Sequence, residues 1–314
     1  MKQLKPVWYD ELPEKQVMPV LRDNILFLFI NPTEYHGPHL SLANDYLISR
    51  GIADRLARVL MEQGLTERYV AGPLVNLGLD PTPGAGTINT SPQRFAALLA
   101  TWADKLPLIG ARRVIIMTFH GAPRHNHALQ RFVDKLASRG VQALNPLNLL
   151  LAHMMRYQPG DFADALQPVK DAALRAELDR SLGRDYHAGF FETSLTLALA
   201  PGSVDPAYRE LPDCPPLVIP AWQKAAIHGM RSLGQGDAAA ELLFAAEALA
   251  WLNLKPFPGY TGMPRLANDK SGEVFVARIL SEYLQATRAV FVEGEAPPAP
   301  GLGVTDLISG LAGI

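Results

Sequence analysis

The stretch TEYHGPHLSLAND, residues 33 to 45, sets a carboxylate, an imidazole and a second carboxylate at Glu34, His36 and Asp45, directly after the apolar run NILFLFI. All three are donors that divalent cations accept. Two residues apart on an extended segment, Glu34 and His36 project to the same side, toward one centre. Asp45 enters from a separate element, and a carboxylate has two oxygens with which to bridge two cations. A fourth donor of the same kind, His120, follows a second apolar run, ARRVIIMT. Taken singly, loop residues of these types are most often just solvated; an E-x-H pair is common by chance, and the chain has no H-E-x-x-H pattern. Its one cysteine, Cys214 in PDCPPL, can form neither an internal disulfide nor a cysteine-rich zinc site. Any metal is therefore to be held by histidine and carboxylate.

The elements that must position these donors are readable from patterning. DNILFLFIN reads as a fully buried strand ending at Asn31-Pro32, so the first motif begins where a strand ends. Residues 42 to 63 place Ile48, Ile52, Leu56 and Leu60 at helical spacing before Gly64, which puts Asp45 in a helix's first turn. RYVAGPLVN predicts a second strand, and Ser91-Pro92 opens a helix of about residues 91 to 106. Val114 to Met117 repeat the first pattern, with His120 in the loop beyond and HNHALQRFVDKLASRG as the next helix. Strands alternating with helices, with polar residues at strand ends, argue for an open α/β sheet with its site at the carboxyl edge. Residues 147 to 182 read as helical with a solvated charged face, HAGFFETSLTLALAP as a loop entering an apolar helix, and residues 222 to 288 as further helices interrupted by KPFPGYTGMP. EGEAPPAPGLG is a linker, and VTDLISGLAGI after it carries an apolar stripe at Val304, Leu307, Ile308, Leu311 and Ile314.

Composition narrows the partner. The chain has 314 residues, 48% hydrophobic and 19% charged, enough for one large core, or a core with an added extension. With 29 Lys and Arg against 31 Asp and Glu the formal net charge is -2, so no basic footprint for nucleic acid or an anionic membrane is visible. A small molecule or peptide is the expected partner. The N-terminal MKQLKPVWYDELPEKQ lacks a continuous apolar h-region and no stretch is long enough to span a bilayer, so a cytoplasmic location is the expectation.

TEYHGPHLSLAND, FHG after a strand, HAGFFETS and GYTGMPRLA occur in an order that resembles the creatininase family of metal-dependent amidohydrolases, over about residues 20 to 285. The resemblance implies a three-layer α/β/α sandwich with a mostly parallel central sheet, a homo-oligomer of ring-like hexameric form, and two divalent ions per subunit (Zn, Mn or Fe). The chain reads as one such domain over residues 1–290, with a helical insertion near 147–182 that lies outside the resemblance, followed by a Pro and Gly linker and short apolar tail over 291–314. By the same resemblance Glu34 and His120 bind one metal, His36 the other, Asp45 both, and Glu192 the second metal or its water. The chain departs from the pattern at Ala122, where creatininase carries a glutamate, and at Phe190, where HAGE becomes HAGF. Glu192, a water or His125 is left to complete the shell.

The implied chemistry is attack on an amide carbonyl by hydroxide drawn from a water bridging the two cations. His187 in the HAG loop is the candidate acid for the leaving nitrogen, or else a residue that holds Glu192 or a backbone carbonyl in place. His39 and Asn44 read as turn and support chemistry, the glycines of GAGTI (residues 84 to 88) as a tight turn near substrate, and Arg124 and His125 as facing substrate or solvent. The function expected is metal-dependent hydrolysis of a non-peptide C–N bond, a cyclic amide or formamide-like group, in a small polar metabolite. The alternatives are a peptidase trimming a small modified peptide precursor and a catalytically silent metal-binding scaffold.

Overall fold

The structure, a computed structural model, describes residues 4–301. The apolar stripe of the C-terminal tail lies outside the described residues. Five strands, β1 (Val7–Trp8), β2 (Ile25–Phe29), β3 (Val70–Ala71), β4 (Arg113–Met117) and β5 (Gln142–Leu144), form one sheet in the order β1-β3-β2-β4-β5, every pairing parallel. Two strands in the middle, β2 and β4, carry the longest ladder, Ile25 opposite Arg113 through Phe29 opposite Met117. They are the two apolar runs picked out in the sequence, and they are buried on both faces as parallel strands must be. Between and after the strands come helices α1 (Glu14–Asp23), α2 (Asn44–Glu62), α3 (Pro92–Lys105), α4 (Pro123–Ala137), α5 (Leu147–Arg156), α6 (Ala163–Leu166), α7 (Ala172–Ser181), α8 (Phe190–Leu199), α9 (Ala221–Ser232), α10 (Gly236–Leu252) and α11 (Asp269–Phe291).

The period-two alternation of β2 shows why helices cover both faces. Leu26, Leu28 and Ile30 belong to a core shared with Phe95 and Leu99 of α3 and with Leu129, Phe132 and Leu136 of α4. The intervening Phe27 and Phe29 turn to the opposite face, where their rings meet Tyr69 edge-on at 5.2 Å and Tyr46 of α2 at 5.6 Å. The fold is thus the expected α/β sandwich. Helix α3 starts as the sequence predicts: Ser91 accepts the Arg94 N–H at 3.3 Å, with Pro92 in the first turn.

The chain divides into two compact units. Among the described residues, one comprises residues 4–35, Leu42–Leu150 and Val276–Ala299, and contains the sheet; the other comprises His36–Ser41, Leu151–Phe275 and residues 300–301. The second unit is helical, with a bridge from Leu40 to Val204 and a small core of Leu40, Ala188 and Tyr260. No helix among the described residues is long and apolar enough to cross a membrane.

Candidate metal centre

In the sheet-bearing unit, one buried asparagine ties the two central strand ends together. Asn31, just past β2, donates to the Met117 carbonyl at 3.0 Å and accepts the Phe119 N–H at 2.9 Å. Its side-chain oxygen also accepts from Ser49 of α2 at 3.2 Å. The loops that carry Glu34 and His120 therefore leave the sheet from a fixed base. Asp45 enters from the first turn of α2, where a carboxylate is favoured by the helix N-terminus.

Glu34, Asp45 and His120 converge at this carboxyl edge, each offering a ligand atom within 4.8 Å of the others, and all three are buried. Glu34 Oε1 lies 2.7 Å from His120 Nδ1, and its other oxygen accepts the Thr82 N–H at 2.5 Å. Asp45 Oδ2 is 3.7 Å from the same His120 nitrogen. His120 Nε2 donates to the Leu79 carbonyl at 2.8 Å, which fixes the ring and turns Nδ1 toward the carboxylates. Burial alone would lower the imidazole's pKa, but the charge of Glu34 and then of Asp45 outweighs it and raises it to about 9. Asp45 is pushed well above the usual carboxylate range by burial first and by the Glu34 charge second. Two buried carboxylates around one imidazole carry more negative charge than a single proton neutralises. A divalent cation suits this set of nitrogen and oxygen donors, so the residues fit a metal.

The GAGTI loop has a definite task here. Thr87 Oγ1 accepts the Tyr35 N–H at 2.9 Å and donates to the Thr82 carbonyl at 2.7 Å, while the Ile88 N–H bonds to the Thr33 carbonyl at 3.0 Å. It clamps both the Glu34 segment and the residue that caps Glu34. Gly84 is required at the crossing because a Cβ there would run into the Tyr35 ring. His125, considered above as a shell-completing donor, is turned elsewhere. Its Nδ1 accepts the Leu79 N–H at 3.3 Å, its Nε2 faces Thr118 Oγ1 at 3.3 Å and its ring stacks on Phe95. Burial and then the neighbouring His120 hold its pKa well below normal. Arg124 pairs with Asp80 through two hydrogen bonds.

In the second unit, His36, His187 and Glu192 form another cluster. The His36 and His187 rings stack at 4.3 Å between centroids, and Glu192 Oε2 lies 3.9 Å from His36 Nε2. Glu192, in the first turn of α8, reaches back to accept the Ala188 N–H at 2.6 Å, which helps hold Ala188 at its left-handed φ of 48°. Gly37, at φ 66°, makes the turn that follows His36. His39 is buried with Nε2 2.9 Å from Thr193 Oγ1. The Thr193 hydroxyl donates to the Ala188 carbonyl at 3.2 Å, so the His39 Nε2–H is the donor in that contact. Burial, then the nearby His36, lowers its pKa to about 4, and it serves as a neutral brace of the HAG loop.

Two residues with no spacing signal in the sequence complete this arrangement. Thr261, in GYTGMP, holds the His187 backbone at both ends, its N–H donating to the His187 carbonyl at 2.8 Å and its side-chain hydroxyl accepting the His187 N–H at 3.2 Å. Asp185 is buried beneath the loop; it accepts the Phe191 N–H at 3.1 Å and the Thr261 hydroxyl at 3.2 Å. Trp251 of α10 closes over His187 at 5.3 Å, its indole N–H held by the Tyr260 carbonyl at 2.8 Å.

Comparison with known proteins bears on this chemistry. A creatinine amidohydrolase of Pseudomonas putida is 27% identical over 243 residues, which are 74% of this chain and 86% of that protein. The solved structure of creatininase in its Mn form matches with a TM-score of 0.57 at 20% identity, over 92% of this chain and 100% of the other. A mutant creatininase of Zn-Zn type matches with a TM-score of 0.60 at 21% identity, over 92% and 99%. At such identities the structural likeness speaks for the fold. The model of the family described as Creatininase, creatinine amidohydrolase, matches residues 11–287, most of the chain. The chain belongs to the creatininase family.

Proposed function

We propose that this protein is a metal-dependent amidohydrolase that cleaves a non-peptide C–N bond, a cyclic amide or formamide-like group, in a small polar metabolite. The observation that carries this reading is the buried Glu34, Asp45 and His120 cluster at the sheet's carboxyl edge. In this reading Glu34 and His120 would hold one divalent ion and His36 and Glu192 a second, with Asp45 shared between them. Glu34 and His36 are separated by a single residue, so one segment delivers a donor to each. When bound, the ions supply Lewis-acid polarisation of the amide carbonyl and a water of lowered pKa. Zn, Mn or Fe fits the donors, in keeping with the relatives whose structures are of Mn and Zn-Zn form.

His187 is assigned the proton for the departing nitrogen. Its backbone is fixed by Thr261 while its ring sits among His36 and Trp251, so a proton on this imidazole is presented in one orientation. Phe190, fully buried with its ring edge-on to Phe275, leaves the loop less polar than a glutamate there would. The decisive experiment pairs elemental analysis with a panel of cyclic amides and formamides on Zn- or Mn-loaded protein, followed by release of amine or carboxylate. Close to two ions per chain and turnover that chelation abolishes are expected; full turnover after exhaustive chelation would defeat the reading. His187→Ala should keep its metal while turnover falls about a hundredfold or more and the pH profile loses one limb. Unchanged turnover across pH would reassign His187 to holding the loop.

A further inference from the structure

Helices α9 and α10 bound a cavity of about 460 Å³, lined by none of the residues of the clusters above, together with Arg184 and the segment at Leu217 and Ile219. That volume is in the range of metabolite sites. Its apolar lining is the buried Ile219 and Ile227 with the half-buried Leu243, while Arg184, Lys224, His228 and Arg231 line it from more exposed positions. Lys224, His228 and Arg231 are spaced four and three residues apart on α9, so they share one helix face and turn toward the same space.

The carboxylate balance of this cavity is uneven. Glu247 is the one acidic residue of the lining, and it is buried with Oε1 3.0 Å from Arg184 Nε. It is thereby committed to Arg184. Lys224 and Arg231 face the cavity with no lining carboxylate left to answer them, and like charges on one helix face repel. A cationic wall over an aliphatic floor is the complement of a small molecule with an anionic head and a short hydrocarbon body.

We infer that this cavity binds a small amphiphilic anion, its carboxylate or phosphate head between Lys224 and Arg231 and its hydrocarbon on Ile219, Ile227 and Leu243. The inference is independent of the amidohydrolase reading, since none of these residues belongs to the clusters assigned to metal. The test is calorimetric or saturation-transfer titration of the full, Zn-loaded chain with hexanoate, hexyl phosphate, hexan-1-ol and acetate. Saturable binding of one hexanoate or hexyl phosphate per chain is expected, with hexan-1-ol and acetate weaker by roughly tenfold or more. Which of the two anions binds tighter identifies the head group. Lys224→Gln with Arg231→Gln should weaken the anion by roughly tenfold or more while metal content and melting temperature stay unchanged. Three results would overturn the assignment: no saturable anion binding, hexan-1-ol binding as tightly as hexanoate, or a double variant that binds as the parent does, which would place the ligand elsewhere.

Discussion

At the scale of single residues, Asp45 shows how a site can be built against stability. Its carboxylate is buried beside that of Glu34, and burial first and Glu34 second favour its neutral form. Asparagine imitates that neutral form but lacks the negative charge that binds a divalent cation strongly. Asp45→Asn should therefore leave the metal-free protein as stable or more stable at pH 8, by on the order of 1 kcal/mol, while strongly weakening metal retention. Melting curves and elemental analysis on the same samples check both halves. His120 gives the matching pH prediction. In the metal-free fold it keeps its proton up to about pH 9, because Glu34 and Asp45 outweigh the effect of burial. A metal ion must displace that proton, so apparent metal affinity should rise with pH by up to about tenfold per unit until about pH 9 and then level off. Chelator competition across pH 6 to 10 measures the slope; a flat profile would mean that His120 does not exchange its proton for metal.

At the scale of elements, the start of α8 depends on a residue outside the helix. Gly189 at the N-cap has no side chain with which to cap, and Asp185 supplies the acceptor for the Phe191 N–H instead. Burial raises the Asp185 pKa to about 7, partly offset by the Phe191 and Thr261 donors. A raised carboxylate pKa means that the folded protein holds a proton the unfolded chain has lost. This group's contribution to stability is accordingly intact below the unfolded pKa near 4 and declines as pH rises to about 7. Asp185→Asn, which can accept from Phe191 and donate to the Thr261 hydroxyl, should flatten the stability profile between pH 4 and 7. Urea midpoints measured at several pH values decide this, and an unchanged slope would show that Asp185 is ionised throughout.

At the scale of the molecule, the sandwich fold buries Glu34, Asp45 and His120 together, where in the metal-free chain their charge is offset by protons that a cation would replace. Metal bound only by the folded chain should then act as a stabiliser. At a free ion concentration of 100 times Kd the gain is about 2.7 kcal/mol, and chelator should reverse it. Thermal melts of Zn-loaded and chelated protein test this, and identical curves would contradict binding at a buried site.

What the sequence by itself determined were the elements with strong local signatures and the kinds of donor. β2 and β4 were legible as apolar runs, because parallel strands buried on both faces have no polar side to interrupt them. α2, α3 and α4 were legible from periodicity, and Ser91-Pro92 marked a helix start that the cap geometry matches. β1, β5 and α1 had no such signature: the two strands are two and three residues long, and α1 carries Pro19 within it. Tertiary structure alone decided which donors meet. Glu34 finds Thr82 and His120 at separations of 48 and 86 residues, His125 turns to Leu79 and Thr118, and Asp185 slides beneath the HAG loop. Local patterning records which face of a strand or helix is buried. It does not record which distant backbone N–H or carboxylate will stand opposite a given side chain, because that is fixed only when the strands take their order in the sheet and the loops at their ends close on one another.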